Sequence, residues 1–229
     1  METRETWFTC EKYFAFPKDS IKISAFARLG VSEEDFVKSY FGRYERTRPM
    51  QEGSAAHQII AEKFPMIRIT EITQKLNRKE QFGVREVPVI DKVLKLHGIA
   101  DGLYFTSGEE SGKIKTDVIE DKTHYVLSQS REVSPKIALQ IAAYASAIKS
   151  DNNLSGLCYP GSGTVRHIQR GTNNAIEIQI DHNTLELWIS RLPIAIKRAK
   201  ELIETEKSLP QKYNLIENRF EALDETKEI

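Results

Sequence analysis

The sequence predicts an α/β domain in which helices flank a central mixed β-sheet. Strand-like runs rich in apolar and β-branched residues cluster in the middle of the chain, at 67–73, 80–90, 93–105 and 114–122. An alanine-rich helical segment follows them at 134–149. Because strands and helices do not alternate strictly, the pattern does not indicate a doubly wound parallel sheet.

Two helices are predicted before the strands. The first covers 32–44, where Ser32 can act as the cap and Asp35 can act as the acidic partner of a capping box. Aspartate is a weaker partner there than glutamate, which leaves the start of this helix less defined. The second covers 52–64 and begins with small residues, among them Gly53, which allow another element to approach closely.

The region after the alanine-rich helix is predicted to contain two more strands and a long helix. The strands are expected at 157–159 and 165–181, with a hairpin turn at 171–174 inside the second stretch. An amphipathic helix is expected at 184–207, where Pro193 either kinks it or marks its first third.

Together these elements predict a single domain at 1–209. It would consist of an N-terminal helical arm at about 1–50, a core at about 51–182 and a C-terminal helix at about 184–208. The remaining segment, 210–229, is rich in charged residues and is expected to be poorly ordered.

The charge balance excludes a global electrostatic attraction to nucleic acid. The chain has 229 residues, with 33 Lys and Arg against 33 Asp and Glu, and its net charge is zero when histidine is neutral. A local basic groove remains compatible with this balance, because nucleic-acid binding depends on where the charges lie.

Cysteine usage and hydropathy predict an intracellular, cytoplasmic protein. The first residues lack the apolar stretch of a signal peptide, and no apolar run is long enough to span a membrane. The two cysteines, Cys10 and Cys158, are far apart in sequence and do not suggest a disulfide framework. A reducing compartment is therefore the simpler expectation.

The segment Glu120-Asp121-Lys122 is the most informative motif in the chain. It ends an apolar, β-branched run, and side chains alternate between the faces of a strand, so Glu120 and Lys122 should share a face and Asp121 should point away. A carboxylate can bind a hard cation, and an adjacent ammonium can stabilise a phosphate. In isolation, such a pair is more often a solvated ion pair on a sheet surface.

A second acidic residue precedes this motif. Asp101 lies in a predicted strand that is separated from the Glu120 strand by a polar, glycine-rich loop at 107–113. Two adjacent antiparallel strands would bring Asp101 and Glu120 close enough to share a cation. The alternative is that Asp101 and Gly102 form a tight turn, and local sequence favours neither interpretation.

Two helices carry further candidate residues. His57 lies in the predicted helix at 52–64, and a neutral imidazole is a good metal ligand, although a lone helical histidine is more often structural. Gln140 and Tyr144 are four residues apart on the alanine-rich helix, so they share one face, where they could bind a phosphate or simply meet water.

The order of these motifs resembles the PD-(D/E)XK nuclease superfamily. The resemblance is closest to its RecB-type exonuclease branch, which includes CRISPR-associated single-strand exonucleases, and it extends from about 21 to about 148. Four pairs of residues carry it: Gly53 with His57, Gly98 with Asp101, Glu120 with Lys122, and Gln140 with Tyr144. The resemblance implies a restriction-endonuclease-like core within the predicted α/β fold.

The resemblance also implies the roles of the site residues. Mg²⁺ or Mn²⁺ would be bound by His57, Asp101, Glu120 and the backbone carbonyl of Asp121. Lys122 would polarise the attacking water or the scissile phosphate. By the same resemblance, Gln140 and Tyr144 would position the DNA strand.

One feature departs from many members of this branch. They hold an iron–sulfur cluster with four cysteines, whereas this chain has only Cys10 and Cys158. Two thiols are too few for such a cluster. We therefore expect no iron–sulfur cluster.

A basic and aromatic cluster before His57 is a candidate contact for DNA. Arg43 and Arg46 could bind phosphates while Tyr44 stacks on a base of a single strand. The alternative is that the aromatic residues belong to the core and the arginines are solvated.

The leading hypothesis is a metal-dependent deoxyribonuclease that degrades single-stranded DNA from an end, in DNA repair, recombination or CRISPR-type DNA processing. One alternative is a structure-specific endonuclease of the same superfamily. Another is a non-catalytic DNA-binding subunit with a relic site, although every metal-site position holds a competent residue type. The sequence leaves open cleavage polarity, homo-oligomerisation and any protein partner.

Overall fold

The computed structural model describes residues 6–11, 15–43, 47–108, 112–127, 132–172 and 174–208. The side chains of Pro49 and His57 also lie outside the described part of the structure. Three predictions therefore fall wholly or partly outside it: the proposed DNA contacts of Tyr44 and Arg46, the metal-binding imidazole of His57, and the tail at 210–229.

A mixed β-sheet forms the centre of the described structure. Its order is β3-β1-β4-β5-β6-β7-β8, and β2 pairs with part of β5. The β4–β5, β5–β6 and β7–β8 pairs are antiparallel, whereas the β6–β7, β1–β3, β1–β4 and β2–β5 pairs are parallel. The strands are β1 (Trp7–Cys10), β2 (Ile21–Lys22), β3 (Met66–Ile67), β4 (Phe82–Asp91), β5 (Leu96–Thr106), β6 (Ile114–His124), β7 (Cys158–Gln169) and β8 (Ala175–Ile180).

Helices flank this sheet, which confirms the predicted α/β class. They are α1 (Ile23–Phe26), α2 (Glu33–Tyr40), α3 (Arg48–Ala61), α4 (Ile69–Asn77), α5 (Pro135–Ser150) and α6 (His182–Ser208), with a 3₁₀ turn at Ala27–Gly30. Helix α5 supplies the crossover that the parallel β6–β7 pair needs. Its alanine-rich sequence lets it lie deep in the core, between the sheet and α6. Among the described residues, no helix is long and apolar enough to cross a membrane.

The predicted cap of α2 is confirmed. The Ser32 hydroxyl accepts a hydrogen bond from the backbone N–H of Asp35 at 3.0 Å, which satisfies a donor in the first turn of the helix.

The prediction of a strand at 67–73 is wrong. The strand β3 covers Met66–Ile67, and α4 begins at Ile69 after the extended cap residue Arg68. The apolar positions Ile69, Ile72 and Leu76 have helical spacing, and Ile72 and Leu76 are buried on the inner face. The backbone N–H of Arg68 donates to the Glu71 carboxylate at 2.9 Å, which stabilises the first turn of this helix.

The predicted break between a strand at 157–159 and a strand that begins at 165 is also wrong, because β7 runs without interruption through Pro160 and Gly161. Strand β7 has one extra residue opposite the stretch of β6 between Thr116 and Val118, and this residue forms a β-bulge. A Cβ atom at Gly161 would lie 2.1 Å from the Lys115 side chain, so glycine lets this side chain lie across the strand without moving. The turn before β8 lies where it was predicted.

Strand β5 pairs with different neighbours at its two ends. Its first residues pair with β2, and from Gly102 onward it pairs with β6, so 98–101 lie at a fork between these two strands. Tyr144 of α5 lies at this fork, where its hydroxyl donates to the carbonyl of Ile99 at 2.7 Å. Gly98 permits this approach, because a Cβ there would lie 3.0 Å from the Tyr144 ring.

Candidate metal and phosphate site

The β5–β6 ladder ends with the pair Gly102 and Ile119, at the end away from the loop that joins the two strands. Asp101 and Glu120 each lie one residue beyond this last pair. The backbone N–H of Asp121 donates to Asp101 Oδ2 at 2.9 Å, which fixes the carboxylate beside β6. The hairpin thus places both acidic residues at the fork, as predicted. The alternative of a tight turn at Asp101 and Gly102 is wrong, because both residues lie within β5.

Glu120 and Lys122 share a strand face and form an ion pair. The Glu120 side chain is 1% exposed, and that of Lys122 is 28% exposed. Burial alone would lower the pKa of Lys122, but the nearby carboxylates of Glu120, Asp101 and Asp121 outweigh it and raise this pKa above its ordinary value. The Lys122 side chain is therefore a cation at neutral pH and cannot accept a proton there.

Asp121 points to the opposite side, as strand alternation predicts. Its carboxylate accepts from Arg85 Nη1 at 2.5 Å, and from Arg166 Nε and Nη2 at 2.7 and 2.9 Å. These charges are largely buried and compensate one another. Sequence reasoning missed Arg85. Its signal is a charged residue inside the mainly apolar strand β4, where an unpaired cation would be costly.

Gln140 and Tyr144 lie on the face of α5 that meets the site. The Tyr144 ring is 3% exposed, and burial, followed by the charges of Glu120 and Asp101, raises the pKa of its phenol. The phenol therefore keeps its proton and donates a hydrogen bond to the Ile99 carbonyl. Any effect of Tyr144 on a DNA strand would have to act through Gln140 or the fork.

Helix α3 contacts strand β6. A Cβ atom at Gly53 would lie 3.3 Å from the Thr123 hydroxyl, and further along the helix Ile60 borders a small cavity with Asp101. His57 lies in α3 one turn after Gly53, and residues four apart share a helix face. The backbone of His57 therefore lies between two points at which α3 meets the site.

A surface cavity of about 550 Å³ opens beside Lys122. Arg28, Lys136, Arg170 and Gln140 also line it. Burial, and then the positive charges of Arg28 and Lys122, lower the pKa of Lys136. Mutual repulsion between cations in one cavity favours binding of an anion there.

The packing of the 3₁₀ turn explains why Arg28 and Lys136 come together. A Cβ atom at Gly30 would lie 2.5 Å from the backbone nitrogen of Lys136, so the turn docks directly on the start of α5. Neither cation belongs to a recognisable motif, and they are 108 residues apart in the numbering. Sequence reasoning had no signal for this pair.

Arg43 lies elsewhere, in a cavity of about 710 Å³. It forms an ion pair with Glu206, and its guanidinium lies 5.2 Å from the Phe41 ring centroid. Glu33 and Glu34 also line this cavity. The contact of Arg43 with DNA stays a prediction, as do those of Tyr44 and Arg46.

The donors at the fork suit a hard divalent cation. Asp101 and Glu120 supply carboxylate oxygens, and the charges of both raise the pKa of Lys122, so they attract positive charge to one region. Within the described ranges, no three His, Cys, Asp or Glu side chains form a group that could hold a metal ion. The resemblance implies His57 as the third side chain, and the side chain of His57 lies outside that search.

The solved structures that resemble this chain include two distant neighbours. The crystal structure of SSO0001 has 14% identity and a TM-score of 0.38, over 79% of this chain and 78% of that one. The crystal structure of LHK-Exo in complex with dAMP has 10% identity and a TM-score of 0.39, over 83% of this chain and 95% of that one. These scores are too low to carry an argument about function. No family and no curated protein match the sequence.

Proposed function

We propose that this chain is a divalent-metal-dependent nuclease that hydrolyses phosphodiester bonds, and that its substrate is single-stranded DNA degraded from an end. One observation carries the hydrolase proposal. Glu120 forms an ion pair with Lys122 at the rim of a basic cavity, and the carboxylate of Asp101, on the neighbouring strand, accepts a hydrogen bond from the Asp121 N–H. The preference for single strands and for ends rests on the sequence resemblance described above.

In this proposal Mg²⁺ or Mn²⁺ is held by His57, Asp101, Glu120 and the carbonyl of Asp121, and it supplies a Lewis acid that neutralises charge on the phosphate. The protein holds these donors in place before substrate arrives. Asp101 is tied to β6 by the Asp121 N–H, and Asp121 is tied to two arginines. Such pre-organisation avoids reorganisation during the reaction.

Lys122 would contact the reacting phosphate while it keeps part of its ion pair with Glu120. Its ammonium is charged and partly exposed towards the cavity, so it can stabilise the negative charge that grows on the phosphoryl oxygens. Arg28 and Lys136, which line the same cavity, would bind the phosphate, and Gln140 would orient it by a neutral hydrogen bond.

Digestion of end-labelled linear and circular single-stranded DNA tests this proposal. The protein should degrade the linear strand with Mg²⁺ or Mn²⁺, leave the circle intact, and be inactive in chelator. Asp101→Asn and Glu120→Gln should abolish cleavage. Asp117→Asn is the matched control, because Asp117 lies on the same strand but pairs with Tyr104, away from the fork.

The other outcomes each have a meaning. Cleavage of the circle would replace the exonuclease with an endonuclease. Binding of DNA without cleavage under any metal would leave only a non-catalytic binding subunit. Full activity of both carboxylate variants would refute the assignment of the site.

A further inference from the structure

A second cavity, of about 540 Å³, adjoins the one beside Lys122. The two cavities share Ser24, Arg28 and Met50 in their walls, so Arg28 stands between them. Their volumes lie within the range of about 300–1,000 Å³ that is usual for ligand pockets. Together they form one groove that begins at the candidate metal site and passes Arg28.

The wall of the second cavity suits an anionic, hydrogen-bonding ligand. Lys22 and Arg28 supply positive charge, and Ser20, Ser24 and Ser39 supply hydroxyl groups. Among the described residues that line it, none carries a carboxylate. The cavity that contains Arg43 differs in this respect, because Glu33, Glu34 and Glu206 line it.

Two rings in the second cavity can pack on a base. Tyr40 and His97 are both half-buried in its wall. The His97 ring is held in place, because Ser20 Oγ lies 2.7 Å from its Nδ1 and the Phe16 ring stacks on it at a centroid distance of 4.5 Å. Bases of a single strand stack on such fixed rings without sequence preference.

Lys22 and His97 are register partners on the parallel strands β2 and β5. They lie at the β2 end of β5, and Asp101 lies four residues further along the same strand. Strand β5 thus connects the second cavity rigidly to the metal site. Burial, and then the charge of Lys22, lower the pKa of His97, so the imidazole is neutral at pH 7.

We propose that the second cavity is a nucleotide subsite, which holds the nucleotide next to the scissile phosphate in a single strand. Lys22 contacts its phosphate, and Tyr40 and His97 pack against its base. The proposal rests on the proposed function for the identity of the ligand as DNA. It adds the path of the DNA strand, which runs from Lys122, past Arg28, to Lys22.

Equilibrium binding tests the subsite without requiring cleavage. Fluorescent single strands of about two to eight nucleotides are titrated in chelator at several salt concentrations. For the parent protein, affinity should rise with length until both cavities are filled. Lys22→Ala should weaken binding of the longer strands on the order of tenfold and flatten the salt slope by about 0.7, the value for one phosphate contact of a single strand.

Lys18→Ala is the matched control, because Lys18 is an exposed lysine four residues earlier that lines neither cavity. It should leave both the affinity and the salt slope unchanged. Tyr40→Leu and Lys22→Ala should each reduce the gain in affinity that comes with a longer DNA strand. The Lys22→Ala variant should fold, because Lys22 is exposed. Equal behaviour of Lys22→Ala and Lys18→Ala would overturn the subsite.

Cleavage assays separate failure of the subsite from failure of the proposed function. For an active parent, Lys22→Ala should raise KM for long strands and leave kcat unchanged, and it should not affect bis(p-nitrophenyl) phosphate, which carries no nucleotide and cannot fill the subsite. An inactive parent refutes the nuclease alone, since the binding series still decides the subsite. An active parent with unchanged length dependence in Lys22→Ala refutes the subsite alone.

Discussion

The backbone N–H of Asp121 donates to the carboxylate of Asp101, and this bond joins β5 to β6 at the point where their ladder ends. The side chain of Asp121 is held in turn by Arg85 and Arg166. We therefore expect Arg85 and Arg166 to act as positioning residues, because they hold the residue whose backbone N–H orients Asp101.

Replacing Arg85 should lower the free energy of unfolding. In Arg85→Met the Asp121 carboxylate loses an arginine partner, and breaking a buried ion pair from one side costs about 3–5 kcal/mol. Denaturant unfolding measures this loss. Arg78→Ala is the control, because Arg78 pairs with Glu80 on the surface and should change the free energy of unfolding by less than about 1 kcal/mol. Equal losses would show that the Asp121 contacts do not hold the site together.

Lys122 should affect turnover more than DNA affinity. Lys122→Ala removes a cation that would stabilise the transition state, and loss of one such donor lowers kcat by about 10²–10³-fold. Single-turnover cleavage and binding of single-stranded DNA, measured on the same variant, separate the two effects. If affinity collapses while bound DNA is still cut at the parent rate, Lys122 is a phosphate anchor instead.

Gln140 and Tyr144 should behave differently although they share a helix face. Tyr144→Phe leaves the partly exposed Ile99 carbonyl without the tyrosine hydroxyl, which should lower stability by about 1 kcal/mol. Gln140→Ala should lower the cleavage rate while the salt dependence of DNA binding stays unchanged, because no cation is lost. Thermal unfolding and single-turnover rates measure these effects. Parent rates in both variants would show that this helix face is only structural.

His167 should make the protein less stable in acid. Burial, and then the charges of His124 and Lys122, lower its pKa, and its Nδ1 lies 2.8 Å from His124 Nε2. The unfolded chain then binds more protons than the folded one below the ordinary histidine pKa, so the free energy of unfolding should fall from about pH 7 to about pH 5. His167→Gln should flatten this dependence, whereas His182→Gln, on the surface, should not. Urea unfolding at several pH values gives the comparison.

The two cysteines should be unreactive in the folded protein. Both are buried, and burial raises the pKa of Cys10 and of Cys158 to about 11. A thiol reagent at neutral pH should label them only after unfolding, and the Cys10→Ser, Cys158→Ser double variant should still cut DNA. The purified protein should have no broad visible absorption. Stoichiometric iron and sulfide would contradict this prediction.

The parts of the site that the sequence predicted depend on local rules. Alternation along one strand gives the shared face of Glu120 and Lys122, and a short hairpin loop places Asp101 beside them. The arginines that bind Asp121 come from strands 36 and 45 residues away, and no local pattern indicates such a contact. The cavity cations Arg28 and Lys136 are further apart still, and their proximity depends on how closely Gly30 packs on α5.

Two errors in the predicted elements have the same origin. The run after Ile67 is too short for apolar spacing to separate a strand from a helix, and burial of Ile72 and Leu76 against the sheet favours the helix. Pro160 and Gly161 are typical of a turn, but pairing with β6 extends them as a strand. In both places, tertiary contacts outweigh local preference.

The fork in the sheet also has a consequence for the order of folding. The β5–β6 ladder connects residues close in sequence, whereas the pairing of β6 from Glu120 to His124, within the described part of the chain, is with β7, which follows α5. Because local contacts form before distant ones, we expect Asp101 and Glu120 to converge early and Lys122 to be fixed late. A divalent cation should then speed folding, and not only slow unfolding, because its carboxylates are already together in the transition state.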